Sequence, residues 1–405
     1  AFCLLRPDGI MGMVATNTIG QGDTRESGLA KIIRNGGEII FAHRFIKWPG
    51  AANVEVNLVT ISKGKWKRGY ILDGKEVWYI SSRLDDNPEA TPKALEQNEN
   101  RAFEGDVIRG TGFLLEPAEA RLLIEKNAKN TDCIFPYLNG QDLNNHPEQK
   151  PSRYIICFHD WSLEIASKYP DLIRIVEERV KPEREQLKGP GDKKNQEYWW
   201  QFGAYRAGLR AAIASLQRVL IRSRVSELHS LVFVPKGYVY GDATVVFAFD
   251  DYYHFALLQS NVHEVWVWYN ASSLESRNRY TPTDCFDTFP FPHNPPDERQ
   301  KAAELKGVQY HEYRRQIMLT RQIGLTKTYN LFHNPDCLDK DIVELRKLHI
   351  EMDKSVMACY GWEDLIVDHD FYKNERGQIR FTVSSQLKKE LIRRLIELNI
   401  KLSEK

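Results

Sequence analysis

The 405-residue chain contains no uninterrupted apolar run near the ~20 residues that a membrane-spanning helix requires. No basic segment followed by a short apolar one opens it, so neither a membrane span nor a secretory signal is expected. Its six cysteines (Cys3, Cys133, Cys157, Cys285, Cys337 and Cys359) include no CxxC pair, which excludes a zinc ribbon and predicts reduced thiols in a cytoplasmic protein. Charge of one sign is lacking too: 56 Lys and Arg against 55 Asp and Glu leave a net charge of +1, so a binding face must be sought locally. There is no HExxH, since His263-Glu264 lacks a second histidine. His349, four residues before Asp353, reads as pairing on a helix surface, and no metal is expected. No solenoid-type repeat recurs along the chain.

What is present is the composition of a folded protein, 42% hydrophobic and 27% charged, which excludes disorder. The length suits two or three domains. Eighteen Tyr, eighteen Phe and nine Trp suit large cores and also base stacking.

The chain reads as if it opens inside a fold. Ile10–Ile19 has the continuous apolar character of a parallel strand buried on both faces. A polar glycine-containing stretch, a short helix over Leu29–Arg34, a strand EIIFAHRF and a strand over Asn53–Ser62 follow. That β-α-β-β order predicts the second half of a doubly wound α/β sheet with an antiparallel last strand. KGKWKRGYILDGKEVWYI then carries hairpin turn signals. Two long helical patterns are expected, one over Leu163–Lys188, interrupted at Pro170 and Pro182, and one over roughly Gln196–Gln217, with short strands over Val219–Trp268. Pro290, Pro292, Pro295 and Pro296 mark a linker. Amphipathic helices are expected beyond it, near Asp297–Gln322, Asp339–Tyr360 and Ser384–Lys401.

An ordered set of motifs runs along the chain: RPDGIMGMVATNTIGQGDTRESGL, KWPGAANVEVNLVTISKG, FPYLNGQDL, VKPER, CFDTFPFP, GLTKTYNLFH and LRKLHIEMDKSVMACYGW. In this order they resemble the MmeI-like (type IIL) restriction–modification enzymes, adenine-specific DNA methyltransferases often fused to a nuclease. The resemblance covers nearly the whole chain and implies three parts. Residues 1–66 would be the C-terminal half of a Rossmann-like class I methyltransferase sheet, 67–292 an α/β target-recognition domain, and 293–405 a mostly helical C-terminal domain. It also implies double-stranded DNA as partner and S-adenosylmethionine as cofactor of the complete protein. The family's cofactor glycine motif and NPPF-type catalytic motif do not occur: the only Asn-Pro-Pro, Asn294–Pro296, lies in the linker, and no Asp with Glu-x-Lys nuclease signature stands out. The chain alone is therefore expected to hold no catalytic residue and to bind S-adenosylmethionine weakly or not at all. Its catalytic half would lie upstream or on a separate subunit, with a stand-alone specificity subunit as the alternative. A hydrolase of scattered Asp and His is the remaining reading, and it lacks any ligand set of defined spacing.

Within that resemblance, Trp48, with Phe45 as second candidate, would stack on an adenine extruded from the duplex, where a π-face replaces lost base stacking. Asn17, Asp23 and Arg25, beyond the end of the first strand, would order a substrate loop; a mutual Asp23–Arg25 surface ion pair is the competing reading. Five arginines with no acid between them, Arg206, Arg210, Arg218, Arg222 and Arg224, would form a phosphate-contacting face, the alternative being internal pairing with Glu183, Glu185 and Glu197. In LESRNRYTP, an extended segment places Glu275, Arg277 and Arg279 on one side. There arginine can donate to guanine and glutamate accept from the cytosine amine. The family carries specificity residues at this stretch and at a second one, here Asp242 and Thr244.

Overall fold

The computed structural model describes residues 1–49, 54–87, 89–189, 191–274, 277–374 and 376–404. Its first sheet holds Ile10–Thr16, Glu55–Lys63, Gly37–Lys47, Tyr70–Leu72 and Lys75–Val77, in that spatial order. Glu55–Lys63 runs antiparallel to both Ile10–Thr16 and Gly37–Lys47, which are thus parallel to each other with the antiparallel strand between them. Tyr70–Leu72 and Lys75–Val77 form the expected hairpin, added parallel to Gly37–Lys47.

The first strand, Ile10–Thr16, is shorter than the apolar run and, among the described residues, pairs antiparallel with Glu55–Lys63. Its residues alternate rather than being buried throughout: Met11 and Met13 pack on the core, while Ile10 and Val14 are half exposed. Alternate side chains of a strand point to opposite faces, so an apolar run is buried on both only where both are covered. The core beneath this sheet joins Ile39, Ala42, Val59 and Ile61 to Leu72, Ile80 and Leu84, beyond the expected boundary at 66/67.

The middle of the chain builds three small sheets. One is antiparallel, ordered Val232–Pro235, Arg218–Ser223, Thr244–Phe247 and Ala102–Glu104. A second is ordered Val239–Tyr240, Ile134–Leu138, Arg153–Ile156 and Leu114–Leu115. The two meet where Asp106 bridges Gly241, and the approach is so close that a Cβ on Gly105 would collide with the Gly241 carbonyl. The third is a three-stranded ribbon of Val225–Ser226, Arg277–Arg279 and Ser272–Leu274.

The pattern over Leu163–Lys188 is interrupted at both prolines, as expected, giving Leu163–Ala166, Pro170–Arg179 and Lys181–Glu185, with Pro170 and Pro182 each in a first helical turn. Two other expectations change. The second pattern yields only Asp192–Glu197 and Ala207–Ile213, with turns between. Tyr252–Gln259 and Asn261–Asn270, which fall largely in the stretch where short strands were expected, are helices. Each begins at a cap whose side chain accepts an amide, Asp251 from His254 and Ser260 from His263. Their aromatic and β-branched residues fit because the helices are buried nearly all round, with Phe255, Leu258, Val262 and Trp266 inaccessible to solvent.

Four helices, Asp297–Arg321, Leu325–Phe332, Lys340–Cys359 and Ser385–Ser403, form a C-terminal layer, with a hairpin of Asp370–Lys373 and Ile379–Thr382 beside it. Their apolar faces share one core with Val219, Val246, Phe255, Trp266 and Phe286, so the core runs across the proline segment. All six cysteines are free thiols, and no helix among the described residues is long and apolar enough to cross a membrane.

Candidate nucleic-acid interface

The strand Arg277–Arg279 of the three-stranded ribbon is exposed and cationic. Arg277 and Arg279 are exposed and Asn278 between them is buried, so the two guanidinium groups stand on one face as the alternation predicts. Leu274 lies opposite Arg277 and Ser272 opposite Arg279. Glu275, the third residue expected on that face, lies outside the described residues.

Arg277 lines a groove of about 490 Å³, together with Ala243, Ser223, Gln141, Asn144 and Thr326. The second expected segment, Asp242–Thr244, lies at the turn that brings Ala243 to this groove. Asp242 is exposed there, but Thr244 is not: it is fully buried and its hydroxyl donates to the Gly241 carbonyl at 2.7 Å. Its expected role in base readout is therefore corrected to a structural one. The opposite wall is the short helix Gly140–Asn145 of the FPYLNGQDL motif. Its cap, Asn139, accepts from the Asp142 amide at 2.9 Å. Gly140 has no Cβ, which lets this helix start sit against the turn; a Cβ there would stand 3.3 Å from that of Ala243. Gln141, Asn144 and Ser223 escaped the sequence analysis, although the amide density of NGQDLNN was a usable signal.

The five arginines do not form a phosphate-contacting face. The acids absent from their own segment come from a strand a hundred residues earlier. Glu104 pairs with Arg206 at 3.3 Å and with Arg224 at 2.6 Å, and buried Asp106 takes Arg210. Arg218 lies over the Phe233 ring at 3.7 Å and donates to the Asp250 carbonyl. Arg222 is 2% exposed, packed on Tyr280 with its NH1 3.0 Å from His229 Nδ1, and burial pushes its pKa down. A phosphate cannot reach it. The alternative partners Glu183, Glu185 and Glu197 make none of these contacts.

Near the first sheet, a cavity of about 320 Å³ opens between the strand ends and the C-terminal layer, lined by Asn17, Phe45, Asn57, Trp268, Arg376 and Lys388 among others. Asn57 accepts the Phe45 amide at 3.1 Å and donates to Asn17 at 3.1 Å. Phe45 itself has φ +56°, at a register irregularity in its strand. Its ring is covered by two guanidinium groups, Arg376 at 4.7 Å and Arg44 at 5.4 Å. Trp48 is half exposed at the end of the same strand, tied to Val54 by a 3.0 Å backbone bond, and is not among the cavity-lining residues. Asp23 is exposed, whereas Arg25 is buried and bonds Ser82 at 2.8 Å, Glu89 at 3.3 Å and Glu26. Asp23 and Arg25 make neither a loop-ordering pair nor a surface ion pair: Arg25 instead locks its helix to the 82–89 segment.

Among the described residues, the group that could hold a metal is His349, Asp353 and His369. The His349–Asp353 pair is not on a helix surface, as expected, but in the core. His369 Nε2 donates to Asp353 at 2.7 Å, and the other carboxylate oxygen takes the Asn261 amide at 2.9 Å. Both ring Nδ1 atoms lack partners, so the second shell that orients metal-bound histidines is missing, and the arrangement is a hydrogen-bonded clamp between helices.

A mixed first sheet, small sheets carrying a cationic strand beside a groove, and a helical layer fit the recognition portion of a type II restriction–modification enzyme, the class that the family match gives. Residues 90–293, half of the chain, match the family model described as MmeI, target recognition domain, and the chain belongs to that family. Its structure is similar to that of the type IIL restriction–modification enzyme MmeI solved in complex with DNA. The TM-score is 0.74 at 18% identity, over 98% of this chain and 50% of that one, so this chain spans half the length of that enzyme. The type IIG restriction endonuclease BpuSI is matched at a TM-score of 0.33 and 12% identity, over 90% of this chain and 49% of that one, too slight a likeness to carry an argument. No curated protein matches the sequence.

Proposed function

We propose that the chain is the sequence-reading portion of an adenine-specific DNA methyltransferase of a restriction–modification system. The observation that carries this reading is the groove where Arg277 meets the Gly241–Ala243 turn. Arginine donates bidentately to guanine in the major groove of B-DNA. Glu275, two residues before Arg277, would add an acceptor for the cytosine amine across the same base pair. The MmeI structure in complex with DNA supports the choice of partner.

On this reading, the cavity at the first sheet receives the extruded adenine. Phe45 supplies a π-face once Arg376 or Arg44 gives way, and Asn17 and Asn57 hold the strand end in place; Trp48, half exposed at the end of the same strand but outside the cavity lining, is the other candidate for stacking on the base. S-adenosylmethionine supplies the methyl group, and we assign its pocket to a catalytic half carried upstream or on a partner subunit. The residues described here bind and orient DNA. The test is selection from a randomised duplex library with the purified chain, beside a map of N6-methyladenine in the genome of the cells that produce it. One enriched motif coinciding with the methylated motif supports the reading; uniform recovery of all sequences overturns it.

A further inference from the structure

The groove under Arg277 holds chemistry that the two arginine-side segments do not use. Gln141 is exposed and Asn144 half-buried, and neither side-chain amide has a hydrogen-bond partner among the described residues. This contrasts with Asn139 in the same motif, whose amide is consumed by Asp142 on both sides. Ser223 points the same way: it is 5% exposed, lines the groove, and its hydroxyl has no partner among the described residues. A buried hydroxyl left unmatched is costly, so a ligand or an ordered water is the natural partner.

The element that carries the amides is fixed. A Cβ on Gly324 would collide with the Asn144 carbonyl, and Gly140 seats the helix start against Ala243. The two side chains are thus held on a backbone packed from both ends, which lowers the ordering cost of binding.

We infer that Gln141 and Asn144 form a third base-reading segment that recognises an adenine edge next to the base pair read from the Arg277 ribbon. This rests on the groove being the base-reading surface. The chemistry assigns the class of ligand: arginine offers donors only and suits guanine. An amide offers one donor and one acceptor, matching the N7 acceptor and N6 donor that adenine presents in the major groove. Ser223 would accept or donate beneath them, directly or through a water.

The experiment is motif selection from a randomised duplex library with the whole chain and with Gln141→Ala, Asn144→Ala and Arg277→Ala, followed by affinity for the selected site and for a 7-deazaadenine version. Gln141→Ala should erase the preference at one adenine position and leave the other positions intact. Wild type should lose roughly 10- to 100-fold in affinity on the 7-deazaadenine site and Gln141→Ala less than about threefold. If Arg277→Ala changes the motif while Gln141→Ala and Asn144→Ala reproduce the wild-type motif, the third segment is refuted and the groove reading stands. If none of the three changes the motif, both fall. Gln141 is exposed, and matching melting curves would show that its variant is folded.

Discussion

Arg222 shows what a single residue type can and cannot announce. Five arginines without a local acid look like a polyanion site, but Glu104 and Asp106 arrive from a distant strand and Arg222 goes inside. Sequence-local counting cannot see partners brought by tertiary structure, whereas the alternation that exposes Arg277 and Arg279 is local and was legible. Arg222→Ala should therefore cost about 2–4 kcal/mol in urea unfolding, because it leaves a cavity and unpaired buried groups around His229. The slope of log affinity for DNA against log salt should stay unchanged; a slope smaller by roughly 0.9 would return Arg222 to the phosphate-contacting set.

A second prediction at this scale concerns Asp287. Burial, with Asp284 and Glu99 adding repulsion, pushes its carboxyl up to about 6. An unfolded aspartate titrates near 3.9, so between about pH 4 and 6 the folded state holds more of the proton and stability falls as pH rises. Asp287→Asn should then stabilise the protein by about 1 kcal/mol at pH 7, allowing for solvent screening of a half-buried group, and by nothing at pH 4. Thermal melts at the two pH values check this; an equal difference at both would contradict it.

Among elements, the strands with clear alternation and the hairpin with clear turn residues were legible, and so were the C-terminal amphipathic helices. Tyr252–Asn270 was not, because a helix buried on all sides loses the periodicity that distinguishes it from strands. Only the caps Asp251 and Ser260 betray it. The junction between the two small sheets depends on an element-level device that composition hides: backbone meets backbone at Gly105 and Gly241. Gly105→Ala should thus destabilise by about 2–3 kcal/mol and disturb the adjoining turn at Asp242, weakening DNA binding along with stability. Wild-type melting behaviour in that variant would show that the crossing is looser than its geometry.

Across the whole molecule, the order of motifs carried the family and the α/β class, and the groove needed the structure. Its walls come from segments spread along the chain, 139–145, 223–243, 277 and 326, and no spacing in the sequence brings them together. The same is true of the cavity at Phe45, where Arg376 arrives from the far end of the chain. What unites these sites is the claim that the Arg277 ribbon reads bases. The measurement that tests it most directly is a double-perturbation cycle on the selected site, pairing Arg277→Ala with replacement of its guanine by 7-deazaguanine, which removes the N7 acceptor. A bidentate contact predicts that each change alone costs about 1–3 kcal/mol and that the two together cost little more than one. Fully additive losses would mean that Arg277 does not touch that base, and the ribbon would be a charged surface strand.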